Sequence, residues 1–146
     1  DYPQIAQFLS PFKGDIVVVT GGEPTLHNLE RLTLLVHQLG KKAHIETAGT
    51  NPLTGNWDWV TLSPKKFKPC LEENFKKANE LKVVIFHPSD FVWAEELASK
   101  CSSDCLFYLQ PEWSKIDKNA DLIVEYIKEN PKWALSLQSH KYINIP

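Results

Sequence analysis

The run Asp15-Ile16-Val17-Val18-Val19-Thr20 breaks off at Gly21-Gly22-Glu23-Pro24, and this junction constrains the fold more than any other part of the chain. Consecutive β-branched residues, stiff at χ1, favour extended backbone. An apolar run without alternation predicts a strand buried on both faces, as in parallel sheets. The two glycines allow a tight turn and let bare amides and carbonyls approach a ligand closely. Glu23 adds a negative charge suited to a ligand ammonium. In β/α folds ligands gather at the carboxyl ends of strands, where this turn lies. Taken alone, the same four residues would also make an ordinary strand-exit turn.

The rest of the chain repeats the pattern. Strands are predicted near Asp15–Thr20, Lys42–Thr47, Trp59–Leu62, Lys82–Phe86, Leu106–Gln110 and Trp133–Gln138. Leu29, Leu32, Leu35, Val36 and Leu39 recur at helical spacing before a Gly40 stop. A second helix is predicted from Leu71 to about Leu81, with Leu71, Phe75 and Ala78 inward. A third, capped by Ser89, carries Val92, Trp93, Leu97 and Ala98. A fourth carries Leu122, Ile123, Tyr126 and Ile127 and stops at Asn130-Pro131. Alternation of this kind predicts parallel strands joined by crossover helices in a single α/β domain over residues 1–146. A closed barrel of eight such units needs roughly 250 residues. The expectation is therefore a partial, open β/α barrel.

Composition narrows the function classes. With 42% hydrophobic and 23% charged residues the chain has enough apolar material for a core. A net charge of −2 gives no basic surface for nucleic acid, and no apolar stretch is long enough to span a bilayer. Three cysteines without framework spacing point to a reducing, cytoplasmic setting. The absence of methionine suggests a chain that starts inside a longer protein.

Polar residues recur where successive strands should end: Gly21-Gly22-Glu23, Glu46-Thr47-Ala48-Gly49-Thr50, Ser63-Pro64-Lys65, Gln110-Pro111-Glu112 and Gln138-Ser139-His140-Lys141. If the strands are parallel, these segments share one rim. That rim suits a zwitterionic, hydroxyl-rich ligand.

Thr20-Gly21-Gly22-Glu23-Pro24 is similar to the motif by which radical S-adenosylmethionine enzymes hold the methionyl ammonium of their cofactor. With Glu46-Thr47 through Thr50, Ser63-Pro64-Lys65, Lys82-Val83-Val84, Gln110-Pro111-Glu112, and the tail from Leu135 through His140-Lys141 to Ile145-Pro146, nearly the whole chain resembles the 7-carboxy-7-deazaguanine synthase family. The resemblance implies a magnesium-dependent lyase of queuosine biosynthesis, a tRNA-modification pathway, that contracts 6-carboxy-5,6,7,8-tetrahydropterin with loss of ammonia. It places Gly21, Gly22, Glu23, Ser63, Lys65 and Gln110 at S-adenosylmethionine. Thr20, His140 and the terminal carboxylate of Pro146 fall at the pterin. It also implies a [4Fe–4S] cluster, Mg2+, an electron donor such as flavodoxin or ferredoxin, and a possible homodimer.

The family's three cluster cysteines lie upstream of the glycine motif, and no cysteine precedes Gly21 here. The expectation is that the amino-terminal portion is absent, including a first strand, the cluster ligands and a magnesium ligand, which leaves this fragment inactive alone. No residue of the chain is assigned as a metal ligand or as catalytic. Ala48 stands where the family often has a polar residue. Two other functions fit the class less well. One is an activase that places a glycyl radical on a partner enzyme, with no need for the His140-to-Pro146 ending. The other is a cluster-free nucleoside- or pterin-binding protein.

The remaining motifs have plainer readings. Cys101-Ser102-Ser103-Asp104-Cys105 has two cysteines on the rim opposite the site, which suits free structural thiols, and Cys70 stands alone. Lys66 and Lys68 read as a solvated loop. His27, His37, His44 and His87 lack ligand spacing, and Trp57, Trp59, Trp93, Trp113 and Trp133 read as core and rim packing, Trp113 beside the site.

Overall fold

Every predicted strand forms, and the six build one sheet in the order β1-β2-β3-β4-β5-β6, each neighbour pair parallel. The computed structural model describes residues 2–143. The chain runs α1 (Tyr2–Leu9), β1 (Ile16–Val19), a 3-10 turn (Pro24–Leu26), α2 (Glu30–Gln38), β2 (Lys42–Thr47), β3 (Trp59–Leu62) and α3 (Glu72–Phe75). It continues through β4 (Glu80–Ile85), α4 (Asp90–Ala98), β5 (Leu106–Pro111), a second 3-10 turn (Trp113–Lys115), α5 (Ile116–Glu129), β6 (Trp133–Leu135) and α6 (Ser139–Tyr142).

Strand periodicity of two sorts the side chains onto two faces. Ala43, Ile45, Val60, Leu62, Leu81, Val83, Ile85 and Leu109 point to one face and pack with Phe75, Ala94, Leu97, Ala98 and Ile123 into the core. Their neighbours His44, Glu46, Ser63, Glu80, Lys82 and Gln110 occupy the other face. Residues that follow the two edge strands, Thr20 after β1 and Ser136 after β6, line one common cleft. A flat sheet would hold them apart. The sheet therefore curls into an open β/α barrel with a polar inner face. Among the described residues no helix is long and apolar enough to cross a membrane.

The structure corrects several sequence expectations. β1 is not buried on both faces: it is an edge strand, with Ile16 50% and Val18 52% exposed. Its apolar content fits a doubly covered strand, but only β2 pairs with it among the described residues. The helix expected from Leu71 to Leu81 stops at Phe75. Asn79 pins the chain to β3, its N–H donating to the Val60 carbonyl at 3.0 Å and its side-chain oxygen accepting the Val60 N–H at 2.8 Å. Glu80 and Leu81 are thereby drawn into β4, which ends at Ile85 rather than Phe86. β6 ends at Leu135, so Ser136–Gln138 leave the sheet. Ser89 makes no side-chain cap on α4. The adjacent Asp90 carboxylate instead accepts the N–H groups of Phe86 at 2.8 Å and His87 at 3.0 Å. The helix α1 was not foreseen.

Lys66 is no free solvated lysine either, since it ion-pairs with the buried Asp90. His37 hydrogen-bonds Asp58 at 2.8 Å, His87 hydrogen-bonds Ser89 at 3.1 Å, and His44 stacks on Trp59 with ring centroids 6.1 Å apart. Cys70, Cys101 and Cys105 are free thiols. Burial pushes the Cys70 thiol up to about 11.

Candidate functional site

At the carboxyl ends of the strands the barrel opens into a cleft of about 530 Å³. Thr20, Gly21, Gly22, Ser63, Lys65, Gln110 and His140, scattered over 121 positions of sequence from 20 to 140, all line it. Pro146 lies outside the described residues.

The glycine turn is built for backbone contact. Gly21 has φ +128°, a conformation that side-chain-bearing residues rarely adopt, and no atom lies within 4 Å of where a Cβ would sit on Gly21 or Gly22. The side of the turn where a Cβ would stand is therefore open.

Glu23 stands behind this wall, outside the lining of the cleft. Its Oε1 accepts the Thr25 N–H at 3.1 Å, the Thr25 hydroxyl at 2.6 Å and the Thr47 hydroxyl, while Oε2 accepts the Ala48 N–H at 2.9 Å. Burial pushes the Glu23 carboxyl up, but these four hydrogen bonds outweigh it and hold the group below the usual carboxylate range. The turn after β1 is thus tied to the end of β2. Oε2, with a single partner among these contacts, keeps acceptor capacity for a further donor.

Gly49 shapes the second wall. At φ +70° its Cβ position would lie 2.6 Å from the Cys70 sulfur. Its carbonyl accepts both the Leu71 N–H and the Asn74 side chain at 2.9 Å. On the far side, α6 brings His140 to the cleft. This helix is held by the edge of Tyr142 against Trp113, centroids 5.3 Å apart, and by the Lys141 ammonium 4.8 Å from the Trp113 ring centre. Trp113 therefore anchors a wall of the site.

Sequence reasoning gave no site role to Glu80, nor to Lys82, although Lys82 stood among the residues of the family resemblance; both line the cleft with Glu46. Lys82 Nζ lies 3.2 Å from Glu46 Oε1. Burial pushes the Glu80 carboxyl above its usual range, opposed by the Lys82 charge and a Trp59 hydrogen bond and reinforced by Glu46. The signal was present in the alternation Glu80-Leu81-Lys82-Val83, with charge on the face opposite the core, but the helix expected to run to Leu81 took Glu80 out of the strand. Among the described residues no group of three or more His, Cys, Asp or Glu side chains converges as a metal site.

A curled parallel sheet whose strand ends surround a polar cleft defines an open β/α-barrel protein with that cleft at its mouth. No family model matches the chain. Curated relatives do. A 7-carboxy-7-deazaguanine synthase from Flavobacterium psychrophilum is 48% identical over 130 residues, covering 89% of this chain and 62% of the relative. One from Synechocystis is 45% identical, covering 91% of this chain and 64% of its own. One from Bacteroides thetaiotaomicron is 37% identical, covering 97% and 71%. The crystal structure of QueE from Escherichia coli superimposes with a TM-score of 0.85 at 29% identity, over 94% of this chain and 64% of that one. The chain belongs to the 7-carboxy-7-deazaguanine synthase family. It spans 62% and 64% of the length of the first two relatives.

Proposed function

We propose that this chain forms the cofactor- and substrate-binding wall of a radical S-adenosylmethionine lyase that converts 6-carboxy-5,6,7,8-tetrahydropterin to 7-carboxy-7-deazaguanine. The observation that carries the reading is the convergence of Thr20, Gly21, Gly22, Ser63, Lys65, Gln110 and His140 on one cleft in a member of this family.

The residues present fit S-adenosylmethionine. The open face of the Gly21-Gly22 turn offers backbone carbonyls to the methionyl ammonium, and the ionised Glu23 behind it supplies counter-charge through Oε2. Ser63 and Lys65 contact the cofactor's carboxylate or ribose, the lysine as the cation for an anionic group, and Gln110 lines the same cleft. When bound with its reduced cluster, the cofactor supplies a hydrogen-abstracting radical. The chain's own task is to hold the pterin's reacting carbon against it and to exclude water. Thr20 and His140 face the pterin. No described residue is assigned to the cluster or to Mg2+. The reading carries with it a one-electron donor of flavodoxin or ferredoxin type, a cytoplasmic setting and a homodimer.

The test is anaerobic iron and sulfide reconstitution of the intact enzyme, then incubation with S-adenosylmethionine and the carboxytetrahydropterin. Formation of 7-carboxy-7-deazaguanine is expected. Cofactor cleavage with the pterin untouched would favour the activase, and failure to bind a cluster would leave a nucleoside- or pterin-binding protein.

A further inference from the structure

We propose that Lys82 is a positioning residue of the cleft, whose ammonium holds the Glu46 carboxylate as a fixed acceptor for N–H groups of the bound ligand. The proposal deepens the function above and rests on reading the cleft as the ligand site.

Lys82 and Glu46 stand on β4 and β2, with β3 between them. Their 3.2 Å contact therefore crosses a whole strand. Crossing is possible because the intervening β3 position is small: Thr61 pairs with Glu46 on one side and Glu80 on the other, and is itself 4% exposed. The two partners differ in their access to solvent. The Lys82 side chain is 16% exposed and the Glu46 side chain 44%.

A cation withdrawn this far from water needs counter-charge. Glu46 supplies it in direct contact and Glu80 adds only a longer-range attraction, so the lysine is committed to Glu46 and is not a free ligand-binding cation. Glu46 Oε1 is committed to Lys82, which leaves Oε2 as the remaining acceptor on a side chain that lines the cleft. The ring edge of a reduced pterin is a row of N–H donors that such an oxygen can accept. A carboxylate already fixed by an ion pair loses less rotamer freedom on binding than a free one. Without Lys82, Glu46 would also face Glu80 with no intervening positive charge.

The experiment uses the intact enzyme as wild type, Lys82→Met, Lys82→Arg, Glu46→Gln and the Lys82→Met/Glu46→Gln double variant. Calorimetry with 6-carboxypterin, an oxidised probe that does not turn over, reads affinity, and urea unfolding of the same proteins reads stability. Lys82→Met is expected to weaken probe binding by about tenfold or more, the scale of one charge-assisted contact. Lys82→Arg should recover most of the loss. In the Glu46→Gln background Lys82→Met should add little, because its effect runs through Glu46. Full affinity in Lys82→Met, or an equal loss in both backgrounds, would overturn the proposal. If the wild type binds no pterin, the functional reading fails separately. The unfolding cycle then decides the pair: non-additive stabilities support the hold of Lys82 on Glu46, and additive ones overturn it.

Discussion

The carboxylate of Glu23 accepts the backbone N–H of Ala48 at 2.9 Å, joining the turn after β1 to the end of β2 across 25 positions of sequence. The residue best suited by charge to a ligand ammonium is thus also a clamp between two walls of the cleft. The clamp and the proposed ammonium role are compatible: the hydrogen bonds that hold the turn also favour the ionised carboxylate.

The clamp predicts a linked pair of variants. In the intact enzyme Glu23→Gln should weaken S-adenosylmethionine binding by roughly tenfold or more, the loss of a charge-assisted partner. Thr47→Val removes the buried hydroxyl that donates to Glu23 and accepts the Gly49 N–H at 2.9 Å. It should cost about 1–3 kcal/mol of stability. It should also weaken cofactor binding, although Thr47 is assigned no cofactor contact. Calorimetry and urea unfolding read the two effects. Unchanged cofactor affinity in Glu23→Gln would remove the ammonium role, and wild-type stability in Thr47→Val would remove the clamp.

Gly49→Ala tests the second wall. The substitution puts a side chain at φ +70° and brings its Cβ to 2.6 Å from the Cys70 sulfur and 3.0 Å from a Leu62 methyl. Backbone strain and overpacking together should cost about 2–4 kcal/mol. Adding Cys70→Ala makes room for the methyl and should recover the steric part but not the strain. Denaturant midpoints of the two variants separate these contributions, and a single variant as stable as wild type would refute both.

Much of the architecture was legible in the sequence because parallel strands declare themselves by unbroken β-branched runs such as Ile16–Val19 and by short apolar segments between helices. What those runs do not carry is the identity of their neighbours. Val17 and Val18 have the same composition in a central strand and at an edge, so the exposure of β1 was invisible. Leu71, Phe75 and Ala78 have helical spacing, yet the bond from Asn79 to Val60 ends the helix early. The rim residues were found by their positions after strands. Glu80 and Lys82 were given no site role because they lie within a strand, facing into the barrel. The Glu23 clamp was hidden for a related reason, since Thr47 and Ala48 meet it only through the parallel pairing of β1 with β2.

Acid sensitivity should depend in part on Glu95. Burial alone would raise its carboxyl, but the Lys132 ammonium, Trp133 Nε1 at 2.7 Å and the Tyr126 hydroxyl at 2.8 Å together hold it below the ordinary 4.5. A depressed folded value means stability that is fully present above about 4.5 and lost as pH falls through that lower value. Glu95→Gln should flatten this part of the acid limb and cost about 1–2 kcal/mol at pH 7 through weaker hydrogen bonds. Urea unfolding between pH 3 and 7 checks it. An acid limb as steep as in wild type would assign the loss to other carboxyls, such as Asp90 or Glu23.

The contact of Tyr142 with Trp113 gives a prediction that separates the two ligands. His140 lines the cleft from α6, and α6 rests on Trp113 through Tyr142 and Lys141. An edge-to-face aromatic pair contributes about 0.5–1.5 kcal/mol. Removing it with Tyr142→Ala should loosen the wall proposed to face the pterin while leaving Gly21, Gly22 and Ser63 in place. The expected result is a pterin KM raised by roughly 2- to 10-fold. S-adenosylmethionine affinity and the unfolding midpoint should stay close to wild type, because Tyr142 is 56% exposed and outside the core. Tyr142→Phe, which keeps the ring, should restore the KM. An equal loss of affinity for both ligands would mean that α6 supports the whole cleft, and a KM unaffected by Tyr142→Ala would place the pterin away from His140.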